Sequence, residues 1–174
     1  MMRRKNMAAG DVALYGLLIA LAFVLSYVES LIPISLGVPG VKLGLANLAV
    51  ITALYTVGLA GAAFISLVRI VLMGFTFGTP SMIIYSLAGG VLSLMVMAVL
   101  KRFKAFGMVG VSVAGGAAHN IGQIAVAAAV VEQAGLFASL PVLLAAGTVA
   151  GSMIGLLGGM VVSRIKRAIG GGGR

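Results

Sequence analysis

Between Lys42 and Lys101 the chain carries one charged side chain, Arg69, and between Lys104 and Arg164 it carries one more, Glu132. Stretches that long and that apolar cannot form the outside of a water-soluble globule. A soluble domain carries about 25% charged residues because its surface must face water. Here the charged fraction is 9%, the hydrophobic fraction is 61%, and the mean hydropathy is +1.22. The sequence is therefore that of an all-α integral membrane protein, one domain of 174 residues. A soluble enzyme, a nucleic-acid-binding domain and a disordered tail are excluded.

The net charge of +9 would suggest nucleic acid in a soluble protein. The basic residues instead cluster in short polar stretches between apolar runs, which is the habit of cytoplasmic membrane loops. Zero cysteines exclude disulfides and thiolate metal sites, and one His with three widely spaced acids leaves no donor set for a metal cage. No metal or cofactor is expected. The 26 glycines suit close helix–helix packing in lipid.

A helix needs ~20 apolar residues to cross the hydrocarbon core. The first run, Val12 to Val28, follows Arg3-Arg4-Lys5 and ends at Glu29. A basic start before an apolar run also describes a signal peptide, but no clean A-x-A site follows and the remaining chain is equally apolar. From Lys42 to about Met73 the run is interrupted only by Arg69. As one helix it would measure roughly 46 Å, too long for a single span.

Charge bias decides between one span and two. The clusters Lys101-Arg102-Phe103-Lys104 and Arg164-Ile165-Lys166-Arg167 should share the cytoplasmic side with the N-terminal cluster. An even number of spans then separates each cluster from the next, so the 43–73 stretch folds back, most naturally at Gly58-Leu59-Ala60-Gly61. Six transmembrane helices follow, at approximately 11–31, 43–57, 60–75, 80–100, 108–131 and 140–163, with both termini cytoplasmic. Ten of the twelve basic residues then lie inside. In the last span Gly147, Gly151, Gly155 and Gly159 form a ridge along which another backbone can approach, either within the chain or from a partner.

Ionisable groups within spans are expensive and usually functional. This topology gives each polar residue a depth. Glu29 closes the first helix, Lys42 opens the second, and Asn47 lies just over one turn deeper. Arg69 is in the outer half of the third helix and Tyr85, with Ser86, in the outer half of the fourth. His119 is near the middle of the fifth, with Asn120 beside it and Gln123 one turn outward on the same face. All lie from the midplane outward, which points to a cavity open to the outside. The candidate substrate-binding residues are thus Glu29, Lys42, Asn47, Arg69, Tyr85, His119, Asn120 and Gln123. Each also has a plainer reading: helix-end anchors for Glu29 and Lys42, an Arg69–Glu29 ion pair, an interhelical hydrogen bond for His119 and Asn120. Pro33 to Gly44 is suited to a lid whose Gly37, Gly40 and Gly44 amides face an anion near the second helix. Gly74 to Pro80 reads as a second outer loop that offers Phe75 and Phe77. Together these side chains suit a small, amphipathic, anionic molecule.

The runs ALAFVLSYVESLIP and GVKLGLANLAV resemble the start of the substrate-binding S components of energy-coupling-factor (ECF) transporters. The segments VESLIPISLGVPGVKLGLANL, FGTPSMIIYSLAGG and VSVAGGAAHNIGQ are similar, over nearly the whole chain, to a bacterial family known as Gx transporters or heptaprenyl diphosphate synthase component I. The first resemblance implies a six-helix bundle in a bacterial cell membrane with an outward pocket capped by the first loop. It also implies a membrane coupling protein and ATPase subunits as partners, reached through small residues of helix 1. The matching positions are Gly16 and Ala20. No P-loop is present, so energy would come from those subunits. The second name implies a membrane accessory of prenyl diphosphate synthesis. The chain has no DDxxD motif and too few acids to hold the magnesium of that chemistry. A stand-alone channel or facilitator is a third expectation.

Cysteines introduced at Pro39, Phe77 and Ala134 should react with an impermeant thiol reagent added outside, and those at Lys104 and Lys166 should not. Outside labelling at position 104 would overturn the four-span count in the first hundred residues.

Overall fold

A computed structural model describes residues 9–31 and 44–171. Its described residues form six α-helices: α1 (Ala9–Leu31), α2 (Asn47–Thr56), α3 (Gly58–Phe77), α4 (Pro80–Leu100), α5 (Met108–Val131) and α6 (Leu140–Gly171), with a 3-10 turn at Ala134–Ser139. In hydrocarbon every backbone N–H and C=O must be satisfied internally, which leaves helices as the natural solution for such apolar runs. Among the described residues, five segments are long and apolar enough to cross a membrane: α1, α3, α4, α5 and the stretch 134–168, which covers most of α6. Large apolar side chains on their outer faces, such as Leu17, Phe64, Val91, Val149 and Leu156, are around half exposed or more. In water this would be a liability; against lipid tails it costs nothing. The protein is a multi-pass membrane protein.

α2 departs from the expected 43–57 span. It has 10 residues, which makes it about 15 Å long, half the hydrocarbon thickness. It is buried on all sides, with every residue from Ala49 to Leu54 inaccessible, because α1, α3 and α6 surround it. Ile51 and Leu54 join Leu18, Ile65, Met97, Val111 and Ile154 in the core of the bundle. The fold-back lies where the glycines suggest. Val57 ends α2, and Gly58 adopts φ +84°, the left-handed region that an L side chain enters at a cost.

Other boundaries follow local chemistry. Thr79 is extended, as a residue before proline prefers, its hydroxyl accepts from the Met82 amide, and Pro80 occupies the first turn of α4. The expected outer loop at 74–80 shrinks accordingly: α3 runs on through Phe77, and Thr76 bonds back to the Leu72 carbonyl. α6 likewise continues past residue 163 through Arg164, Lys166 and Arg167, since Arg and Lys are good helix formers and water replaces lipid there.

The glycine ridge of α6 is used within the chain. A Cβ on Gly151 would lie 2.8 Å from the Val113 Cα, and one on Gly155 would lie 2.5 Å from the Val109 Cα. At Gly147 it would strike the Asn120 Nδ2 at 2.7 Å, whereas Gly159 faces only the Met108 sulfur. α4 and α5 cross at a similar backbone contact, where a Gly122 Cβ would meet the Ala88 carbonyl at 3.0 Å. At one end of the bundle Lys101 ties α4 to α2: its Nζ donates to the Leu54 carbonyl at 2.6 Å and lies 4.7 Å from the Tyr55 ring centroid. Desolvation there, and then the charge of Lys166, lower the Lys101 pKa. The two described basic clusters therefore converge at this end.

Gly58→Ala should destabilise the detergent-solubilised protein by ~1 kcal/mol, the cost of a Cβ in the left-handed region, and Gly58→Asn by less. Thermal unfolding of the two variants beside the parent checks this; equal midpoints would remove the backbone conformation as the reason for glycine.

Candidate functional site

The opposite end of the bundle, where α1 and α3 finish and α4 begins, holds a cavity of about 250 Å³. Five helices contribute. α1 supplies Ser26, Glu29 and Ser30, and the start of α2 supplies Asn47, just after Gly44. α3 supplies Arg69, Ile70, Met73 and Phe77. α4 supplies Met82, Ile83 and Ser86, and α5 supplies His119 and Gln123. On α1 the polar positions 26, 29 and 30 lie one turn apart on one face; on α5, 119 and 123 do the same.

Arg69 governs the electrostatics. It lies just past the midpoint of α3 and is only 9% exposed. Its Nη1 donates to the Ser26 hydroxyl at a long 3.5 Å, while Nε is buried without a hydrogen-bond partner among the described residues. A guanidinium has five N–H donors, and among the described residues this one makes a single long bond. Glu29, 6% exposed, lies close enough for its charge to act on Arg69. Glu29 also accepts from the Gly44 amide, joining the end of α1 to the turn before α2.

That turn modifies the expectation of an amide nest. Gly44 has φ +79° and gives its amide to Glu29. The amides of Asn47, Leu48 and Ala49 are engaged by the carbonyls of Gly44, Leu45 and Ala46. α2 therefore offers the cavity the partial positive charge of its N-terminal end rather than a row of free donors. Gly37, Gly40, Lys42 and the rest of the expected lid over 33–43 lie outside the described residues.

The structure gathers Glu29, Asn47, Arg69, His119 and Gln123 around one cavity. Asn120 points elsewhere: its Nδ2 donates to the Leu143 carbonyl at 2.8 Å, bracing α5 against α6. It lines, with Asn47, Ser112 and His119, a recess of about 20 Å³ behind the main cavity, roughly the room one water needs. Tyr85 is half-buried and does not line the cavity; its neighbour Ser86 does. Of the two phenylalanines, Phe75 is 83% exposed, whereas Phe77 lines the cavity and packs against Tyr27 with ring centroids 4.9 Å apart. Ser26 and Ser30 are cavity-lining polar residues that the sequence candidates do not include, and Ser26 is the buried one. Its position one turn before Glu29 was the available signal.

Glu29 and Arg69 are both buried, and removing one of two opposite buried charges leaves the other less well compensated. Glu29→Gln should therefore lower the unfolding free energy by ~1 kcal/mol or more, and adding Arg69→Gln should recover part of that loss. Simple additivity of the two single losses, measured by denaturation in mixed micelles, would show that the charges do not interact.

No curated protein and no solved structure gives a significant match to the chain. The sequence profile described as heptaprenyl diphosphate synthase component I matches residues 18–161, which is 144 of the 174 residues and includes every described residue of the cavity. On that coverage, the chain belongs to the heptaprenyl diphosphate synthase component I family.

Proposed function

We propose that this protein is the substrate-binding membrane subunit of an ECF-type uptake system, and that its cavity holds a small, amphipathic molecule with an anionic group. The observation that carries this reading is Arg69, a buried cation on the wall of a polar cavity of about 250 Å³ whose Nε has no hydrogen-bond partner among the described residues. Burying a guanidinium is unfavourable unless acceptors surround it, and among the described residues the hydrogen bond it makes is the long one to Ser26. An anionic ligand group completes the set. Ile70, Met73 and Phe77 offer apolar surface to the rest of the molecule.

The proposed partners are a membrane coupling protein and ATPase subunits. In support, Gly16 and Ala20 are both exposed, on the side of α1 turned away from the buried Leu18 and Ala22. A Cβ on Gly16 would meet nothing within 4 Å, so the position is open to another helix.

A second reading is favoured by the family match: a membrane accessory of heptaprenyl diphosphate synthase. Asp11 and Glu29 lie eighteen residues apart on α1, roughly 27 Å along the helix. The prenyl-transfer chemistry would then belong to a partner enzyme, and this chain would handle its substrate or product.

Affinity purification from native membranes separates the readings. Coupling and ATPase subunits should accompany the protein, together with a small anionic compound identifiable by mass spectrometry. Arg69→Lys keeps the charge beside Glu29 but loses the guanidinium fork, and should reduce the retained compound at least tenfold, ~1.4 kcal/mol. Gly16→Leu should retain the compound and lose the subunits. Recovery of a soluble prenyl synthase instead would favour the second reading, and undiminished compound on Arg69→Lys would remove Arg69 from the site.

A further inference from the structure

The polar cavity has an apolar neighbour. Below it, along the seam between α3 and α4, runs a groove of about 220 Å³ lined by Ala63, Leu67 and Ile70 on one side and Gly90, Val91 and Leu94 on the other. α3 and α4 are antiparallel neighbours joined across Gly78 and Thr79. The cavity uses the upper part of their seam, from Ile70 to Gly78 and from Met82 to Ser86; the groove uses the next two turns down. Ile70 lines both spaces.

The two chambers differ in chemistry. The upper one holds Arg69 and Glu29, while the lower one has Ser66 as its one polar side chain. The lower one also opens sideways: Leu67 is 49% and Val91 56% exposed, on surfaces that face lipid. Gly90 lets the Ile70 side chain pack close to α4, since a Cβ there would lie 3.1 Å from the Ile70 Cδ1.

We infer that the ligand is a single-chain amphiphile taken from the bilayer, with its anionic head at Arg69 and its apolar chain lying past Ile70 in the α3–α4 groove. This rests on the cavity reading given above. Lipid tails are as apolar as leucine, so the groove gains little by attracting a chain. Its function is to let the chain stay in an apolar medium while the head enters a polar cavity. Without such an exit, seating the head would drag the chain among charged groups. From Ala63 to Ile70 the groove runs about 10 Å, enough to guide the first part of a chain whose remainder stays in the bilayer.

The test uses the full-length protein in nanodiscs, equilibrium dialysis, and empty nanodiscs as the blank. Two probe pairs cover the two head chemistries: inorganic diphosphate against farnesyl diphosphate, and acetate against laurate. In at least one pair the chain-bearing probe should bind at least tenfold more tightly. Val91→Trp and, from the opposite wall, Leu67→Trp should each erase that gain and leave the head-only probe unchanged. Both positions face lipid, so neither change disturbs the core. Equal binding within both pairs, or a gain that survives both tryptophans, would overturn the groove assignment while head-only binding that is lost on Arg69→Lys leaves the cavity reading standing. Absence of binding by all four probes to folded protein would overturn the two together.

Discussion

Arg69 places a permanent positive charge just past the centre of a helix that is otherwise uncharged. Taking such an ion out of water costs several kcal/mol even after the protein relaxes around it. The neighbouring helices are arranged around that cost. α1 turns Ser26 and Glu29 inward rather than outward, and α5 contributes His119 and Gln123. Glu29 does two things at once, offsetting the guanidinium and holding the Gly44 amide. The polar end of the bundle is thus one electrostatic unit, and the space inside it is the part that protein atoms leave unfilled.

The rest of the bundle supplies rigidity for that unit. α4, α5 and α6 meet through glycines at which backbones touch, whereas α1 and α3 meet α2 through larger side chains such as Leu18, Ile51 and Ile65. The cavity lies on the line between these two packing regimes, since Arg69 and Glu29 come from one side and Ser86, His119 and Gln123 from the other. The Lys101 contact to Leu54 joins the two sides again at the far end, so the cavity end is held by polar contacts and the other end by a charge-assisted one.

Much of this was legible in the sequence because membrane helices obey few rules. Apolar runs and Pro80 set the helices, Gly58 set the fold-back, and the depth of Glu29, Arg69, His119 and Gln123 set a common level. What escaped was what depends on azimuth and packing. Asn120 follows His119 directly, and a rotation of about 100° per residue carries it to α6 and the Leu143 carbonyl. Gly74 looked like loop punctuation, but a Cβ there would strike the Ile83 side chain, so it is a packing glycine within a helix that runs on to Phe77. The ten-residue length of α2 had no local signal, because burial on all sides by other helices makes its sequence as apolar as a full span.

The α5–α6 seam has a consequence for how such a chain can vary over time. Where backbone meets backbone, the only side chain that fits is a hydrogen atom, and Gly151 and Gly155 leave no rotamer to adjust and no neighbour to trim in compensation. Mutation at these positions has no neutral route. Drift should therefore accumulate on the lipid-facing residues of the same helix, Val149, Met153, Leu156 and Met160, where any apolar residue serves equally well. One helix would then carry two evolutionary clocks, a nearly stopped one on its inner face and a fast one on its outer face.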